Sequence, residues 1–173
     1  MTAVAAHPWT YDVIETPIGR LIVASDAQAI TGVWMANANP DDQRWTERRG
    51  TDALLDEARA ELVAYFEGRL RTFTVPLAPN GTDFQRGVWS ALTKIPFGTT
   101  ISYAELARRV KNEAAVRAVG AANGRNPIPI IVPCHRVIGS DGSLTGFGGG
   151  LDRKRWLLQH ENCLPASQEE LGI

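Results

Sequence analysis

Apolar residues dominate two short runs, residues 11–15 and residues 20–25, each bounded by polar residues. The intervening Thr16-Pro17-Ile18-Gly19 carries the proline and glycine of a tight turn, so the two runs predict a β-hairpin. Residues 30–35 predict a third strand. A polar stretch over residues 37–50 is read as a loop, and helical spacing begins after it. Asp52 can cap a helix whose apolar stripe is Leu54, Leu55, Ala58, Leu62, Tyr65 and Phe66, ending near Gly68. Residues 73–77 predict a last strand. Ala78-Pro79-Asn80-Gly81 then breaks the pattern and sets a boundary between an N-terminal scaffold domain (1–80) and a second domain (81–173).

Helical spacing dominates the second domain. Thr82-Asp83-Phe84-Gln85 fits a capping box, and Phe84, Val88, Trp89, Leu92 and Ile95 follow at helical intervals until Pro96-Phe97-Gly98. Ser102-Tyr103-Ala104-Glu105 is a second capping box and opens a helix to about Val110. Lys111-Asn112 turns the chain into a third helix over residues 113–123, with Gly124 at its C′ position. Two short helices joined by a tight turn make a helix-turn-helix. Residues 130–132 read as a short buried strand ended by Pro133, which has no N–H for a ladder. A glycine-rich loop around Gly146 and Gly148 leads into a last helix from Leu151 to about Glu161. The predicted fold is α+β: a small N-terminal α/β scaffold with an antiparallel sheet, then a mostly helical, winged-helix-like domain.

Composition narrows the setting. The chain has 173 residues and is 44% apolar, enough for a packed core. No run of ~18 apolar residues predicts a membrane span, and no basic-then-apolar N-terminus predicts a secretory signal. Two cysteines allow at most one disulfide, so a reduced, cytoplasmic protein with Cys134 as a free thiol is expected. The net charge of −1 is unevenly divided: residues 1–81 carry −4, residues 82–160 carry +6, and the remainder −3. A basic second half predicts a polyanionic partner for it, although ordinary surface variation is an alternative.

Three features carry candidate chemistry. Ala114, Arg117, Ala118 and Ala121 share one helix face (i, i+3, i+4, i+7). Alanines read no base edges but let a backbone approach closely, so this face predicts DNA contact by shape in the minor groove, with Arg117 as probe. Helix packing through the alanines is the alternative. Lys154, Leu157, Leu158 and Glu161 share a face of the last helix. If the leucines are buried, Glu161 points inward and needs a partner, for which an imidazole is suited; an exposed helix end is the alternative. His160 and His7 are read as surface and terminal residues. Finally, Cys134 is followed by His135 and Arg136, a base and a positive charge beside a thiol, which acts as a nucleophile only as thiolate. With Glu161 holding His135, the three would form a Cys–His–Glu relay. The glycine loop lacks a P-loop lysine and does not match a dinucleotide fingerprint.

Pro133-Cys134-His135-Arg136-Val137 after Asn126-Pro127-Ile128-Pro129 resembles the signature of the O6-alkylguanine-DNA alkyltransferases (methylated-DNA–protein-cysteine methyltransferases). The resemblance runs from Gly81 to Glu161, with a looser likeness in the hairpin around Pro17-Ile18-Gly19. It implies Cys134 as alkyl acceptor, His135 as its base through water, and Glu161 orienting His135. It implies that Tyr103 crowds the target phosphate and helps protonate the departing guanine. It implies further that Arg117 fills the vacated stack and that Asn126 braces the active-site turn. The pocket for the flipped base would be built from Pro129, Val137, Phe147, Gly148 and Lys154; Phe147 stands where many relatives have tyrosine, keeping the apolar wall without the hydroxyl. The resemblance further implies double-stranded DNA bearing alkylated guanine as partner, no sequence preference, a monomer, no metal and no cofactor. O4-alkylthymine is a further candidate substrate. Competing readings are a non-enzymatic binder, either a winged-helix regulator or a damage-marking alkyltransferase-like protein, and a Cys–His hydrolase.

Overall fold

A computed structural model describes residues 9–35 and 50–164. The expectations for His7 and for the polar stretch from residue 37 to 49 lie outside the described residues. The chain divides into two compact units, Met1–Pro79 and Asn80–Ile173. No helix among the described residues is long and apolar enough to cross a membrane.

The first unit is an antiparallel sheet of β1 (Thr10–Thr16), β2 (Gly19–Ser25) and β3 (Ile30–Met35), in that order, with a helix on it. Thr16 pairs with Gly19, leaving Pro17-Ile18 as a two-residue turn, and Gly19 takes a φ of 100° that a side chain would resist. The central strand is buried from Leu21 to Ser25. Helix α1 (Ala53–Phe66) lays Leu55, Ala58, Leu62 and Tyr65 into the core. Its N-cap Asp52 accepts from Leu55 N at 2.8 Å and from Thr10 Oγ1 of β1 at 3.0 Å, and Arg59 pairs with Asp12.

Residues 73–77 are not a strand. They meet the sheet at one parallel bridge, where Ile30 N donates to Pro76 O at 2.8 Å and Ala78 N to Ile30 O at 2.9 Å. Pro76 has no N–H, and the buried carboxylate of Glu61 on α1 takes the amides of Thr74 and Val75 that a ladder would need.

The second unit contains α2 (Asp83–Leu92), β4 (Ile101–Ser102), α3 (Tyr103–Arg109), α4 (Val116–Gly124), β5 (Val137–Ile138) and α5 (Leu151–His160). Both halves of the Thr82–Gln85 capping box form. Trp89 of α2 donates its indole N–H to Ala122 O of α4 at 2.9 Å, locking the two helices. At Ser102 only half of the expected box forms: its hydroxyl accepts from Glu105 N, but the Glu105 carboxylate turns to Arg108 and Arg109, whose charges outcompete a neutral backbone amide. The third predicted helix opens with a 3-10 turn over Glu113–Ala115. Gly124 is the last helical residue rather than C′, and Arg125 caps the end. The two-residue strands β4 and β5 pair in parallel, joining the start of α3 to the segment that follows Cys134.

Candidate active site

Three prolines between residues 127 and 133 remove backbone donors, so this segment cannot sustain a ladder. The expected strand over residues 130–132 is instead a tight turn: Val132 N donates to Ile128 O at 2.9 Å, and Ile130 is forced into the left-handed region at φ 77°. Asn126 supplies the missing partners. Its Nδ2 donates to Val132 O at 2.8 Å and its Oδ1 accepts from Ile128 N at 3.0 Å. Cys134 therefore sits not at a strand end but at the start of a 3-10 turn, Cys134–Arg136. The side chain of Asn123, buried on the inner side of α4, reaches the Cys134 carbonyl at 3.5 Å.

The thiol of Cys134 is 5% exposed. Burial pushes its pKa up, while the Asn126 side chain and the charge of Lys154 pull the other way. Lys154 is fully buried, and its Nζ donates to Val137 O at 2.6 Å and to Thr145 O at 2.7 Å. Burial lowers its pKa to about 8. The ammonium thus ties the acceptor turn to the glycine loop.

His135 is fully buried, with Nε2 2.9 Å from Glu161 Oε1. Burial lowers the imidazole's pKa, against the pull of Glu161. Nδ1 has no partner among the described residues. Glu161 is the C-cap of α5 and is 1% exposed, so it is not a solvated helix end. Burial raises its pKa, but hydrogen bonds from His135 and Arg136 outweigh this and hold it at about 2. Arg136 does not supply the positive environment expected for the thiol: its fork is on Glu161, at 2.8 and 2.9 Å. A buried carboxylate needs a full counter-charge, and Arg136 meets that need. His160 is half-buried; its ring stacks on Trp156 at 5.0 Å and meets Phe97 edge-on.

Tyr103 opens α3, and its hydroxyl donates to Thr145 O at 3.0 Å. Its ring lies against Gly120 of α4. Pro129 and Phe147 are half-buried, Val137 is fully buried, and Gly148 is exposed. Val137 is already engaged on both backbone groups, its N–H on Cys134 O and its carbonyl with Lys154. Ala114, Arg117, Ala118 and Ala121 are all exposed, so the small-residue face is not a packing seam within the described residues. The roles of Arg136 and Asn123 escape sequence reasoning. Lys154, placed by its helical spacing on the face of Leu157 and Leu158, is buried with them.

Residues 9–79 match the family model "6-O-methylguanine DNA methyltransferase, ribonuclease-like domain", and residues 83–163 match "6-O-methylguanine DNA methyltransferase, DNA binding domain". The methylated-DNA–protein-cysteine methyltransferase of Methanosarcina acetivorans is 47% identical over 156 residues, covering 87% of this chain and 97% of that one. A crystal structure of the Mycobacterium tuberculosis O6-methylguanine methyltransferase superposes with a TM-score of 0.80 at 44% identity, covering 95% of this chain and 99% of that one. A second, of the M. tuberculosis protein in complex with DNA, has a TM-score of 0.80 at 46% identity, covering 89% and 93%. Together with a buried Cys134 followed by a Glu161-bound His135, these matches across both units show that the chain belongs to the methylated-DNA–protein-cysteine methyltransferase family.

Proposed function

We propose that this protein repairs DNA by direct reversal, moving a methyl or other small alkyl group from O6 of guanine onto Cys134, once per molecule. The observation that carries the reading is the buried cysteine whose neighbouring imidazole is bound by Glu161 on one nitrogen and has no partner among the described residues on the other. Sulfur attacks the alkyl carbon in line with the O6–C bond. The S–C bond forms, O6–C breaks with its electron pair going to the purine, the thiol proton passes to His135, and guanine leaves after gaining a proton. The sum balances with no cofactor. A thioether has no easy hydrolytic route, so the acceptor is consumed.

O6 is hidden within a duplex, so the base must be flipped out, at a cost of roughly a few kcal/mol. The exposed alanine face with Arg117 suits minor-groove binding without sequence preference, Arg117 filling the gap left by the base. Pro129, Val137, Phe147, Gly148 and Lys154 would line the pocket. Val137 O, holding Lys154 on one lone pair, has a second for the guanine. Tyr103 would serve the leaving purine from the hydroxyl that now rests on Thr145 O. The same in-line attack would serve O4-alkylthymine. Both cysteines are free thiols, which suits the reducing cytoplasm, and a monomer suffices for a single acceptor.

The test is intact-protein mass after incubation with a duplex carrying one O6-methylguanine. One methyl increment, mapping to Cys134 and stopping at one per molecule, is expected. A Cys134→Ala variant should retain the duplex and gain no mass. An unmodified parent that still retards the damaged duplex would replace this reading with a binding-only one.

A further inference from the structure

Arg136 follows the acceptor cysteine by two residues, yet its guanidinium is built into the protein interior. Nε donates to Glu161 Oε2 at 2.8 Å, and a terminal nitrogen to Oε1 at 2.9 Å. The other terminal nitrogen donates to Ile95 O at 2.6 Å, and the guanidinium carbon lies 5.9 Å from the centre of the Phe97 ring. Gly98 N–H reaches Oε2 at 3.3 Å, and His135 Nε2 shares Oε1 at 2.9 Å. Resting on the alkyl-transfer reading above, we infer that Arg136 is a positioning residue for that reaction: by clamping Glu161 it makes neutral His135, protonated on Nε2 and open on Nδ1, the resting form of the relay.

The argument is one of charge and geometry. The fork engages both carboxylate oxygens, so Glu161 cannot rotate, and Oε1 keeps a fixed direction toward Nε2. An ionised carboxylate only accepts, so the ring must place its proton on Nε2, which leaves the electron pair of a neutral ring on Nδ1. Nδ1 is the nitrogen with no partner among the described residues. Arginine stays charged throughout the accessible pH range. Glu161 and Arg136 therefore cancel, and a proton added to His135 would leave an unmatched buried cation near the ammonium of Lys154. Without Arg136, the charge of Glu161 would be matched most readily by protonating His135, and an imidazolium cannot take the thiol proton. The titratable and charged groups around the ring are Cys134, Lys154, Glu161 and Arg136, with Cys163 beside the Glu161–Arg136 pair.

Nitrogen NMR of the His135 ring in the full chain, from about pH 5 to pH 8, reads the tautomer directly. Methyl transfer from an O6-methylguanine duplex to Cys134 is timed in parallel. The parent should show the neutral Nε2–H ring throughout. Arg136→Met should show imidazolium near neutrality and transfer slowed by about 10- to 100-fold. A double variant, Arg136→Met with Glu161→Gln, should regain the neutral ring, because no buried charge then asks for a proton. Arg136→Lys should keep the ring neutral but transfer about tenfold slower, having charge without the fork. A purely structural arginine would lower stability and leave the ring's protonation unchanged. A neutral Nε2–H ring in Arg136→Met would overturn the inference. Should that variant not fold, imidazolium in either Arg136→Lys or the double variant would overturn it. A parent that gains no methyl would instead defeat the alkyl-transfer reading, and the ring measurement would still stand by itself.

Discussion

Glu161 ends a helix with its carboxylate buried, where both the helix dipole and desolvation oppose a negative charge. It remains ionised because His135 and Arg136 donate to it, holding its pKa at about 2 against an ordinary 4.5. A carboxyl held low in the folded state contributes stability that is complete above the unfolded value and lost as pH falls through the folded one. Thermal unfolding followed from about pH 5 down to pH 2 should therefore show a steep acid loss in the parent. Glu161→Gln should be less stable at neutral pH, since Arg136 is left unpaired, and should lose less on acidification. Parallel acid limbs in the two proteins would show that another carboxylate governs acid unfolding. Lys154 is the second residue whose burial has a purpose visible in its contacts, since its ammonium joins Val137 O to Thr145 O.

At the scale of elements, the turn from Asn126 to Pro133 is held by one side chain. Asn126→Ala would orphan the Ile128 amide, at about 1–3 kcal/mol for a group left unsatisfied, and would leave the Val132 carbonyl with the Cys134 N–H alone. A lowered melting temperature together with slowed alkyl transfer is the expected outcome. Stability equal to the parent's would mean that the prolines hold the turn unaided. The α2 cap offers the contrast. Thr82→Ala removes the capping hydroxyl and should lower stability by about 1 kcal/mol in denaturant titration, with the rate of alkyl transfer unchanged.

For the molecule as a whole, the division of charge bears on the encounter with DNA. Residues 82–160 carry +6. Retention of an undamaged duplex should fall steeply as salt rises from about 50 to 200 mM, since bound phosphates release counterions. A flat salt response would remove the electrostatic basis assigned to this half. Arg117→Ala should slow repair of duplex more than reaction with free O6-alkylguanine base, because the free base needs no flipping. Equal losses on both substrates would show that Arg117 serves something other than the vacated stack.

Much of this was already legible along the chain. Three strands, the Asp52 and Thr82 caps, the helix-turn-helix, the sharing of one face by Ala114, Arg117, Ala118 and Ala121, and the inward position of Glu161 follow from turn and cap residues and from the period of 3.6, which act over a few neighbours; that the alanine face is exposed was not legible, since the same spacing suits helix packing. The elements that failed did so where partners lie far away. Residues 73–77 are kept from the sheet by Glu61, 13 residues upstream of Thr74. Residues 130–132 look like a strand by their β-branched side chains, but the N–H of Val132 is claimed by Ile128 and its carbonyl by Asn126 and Cys134. Arg136 reads from sequence as a neighbour of the thiol, yet its charge goes to Glu161, 25 residues on, and to the Ile95 carbonyl, 41 residues back. Local patterning determined which elements form and which residues could react. Only the tertiary structure decided which charges meet, because a buried ion settles on whichever counter-charge the packed chain brings within hydrogen-bond reach.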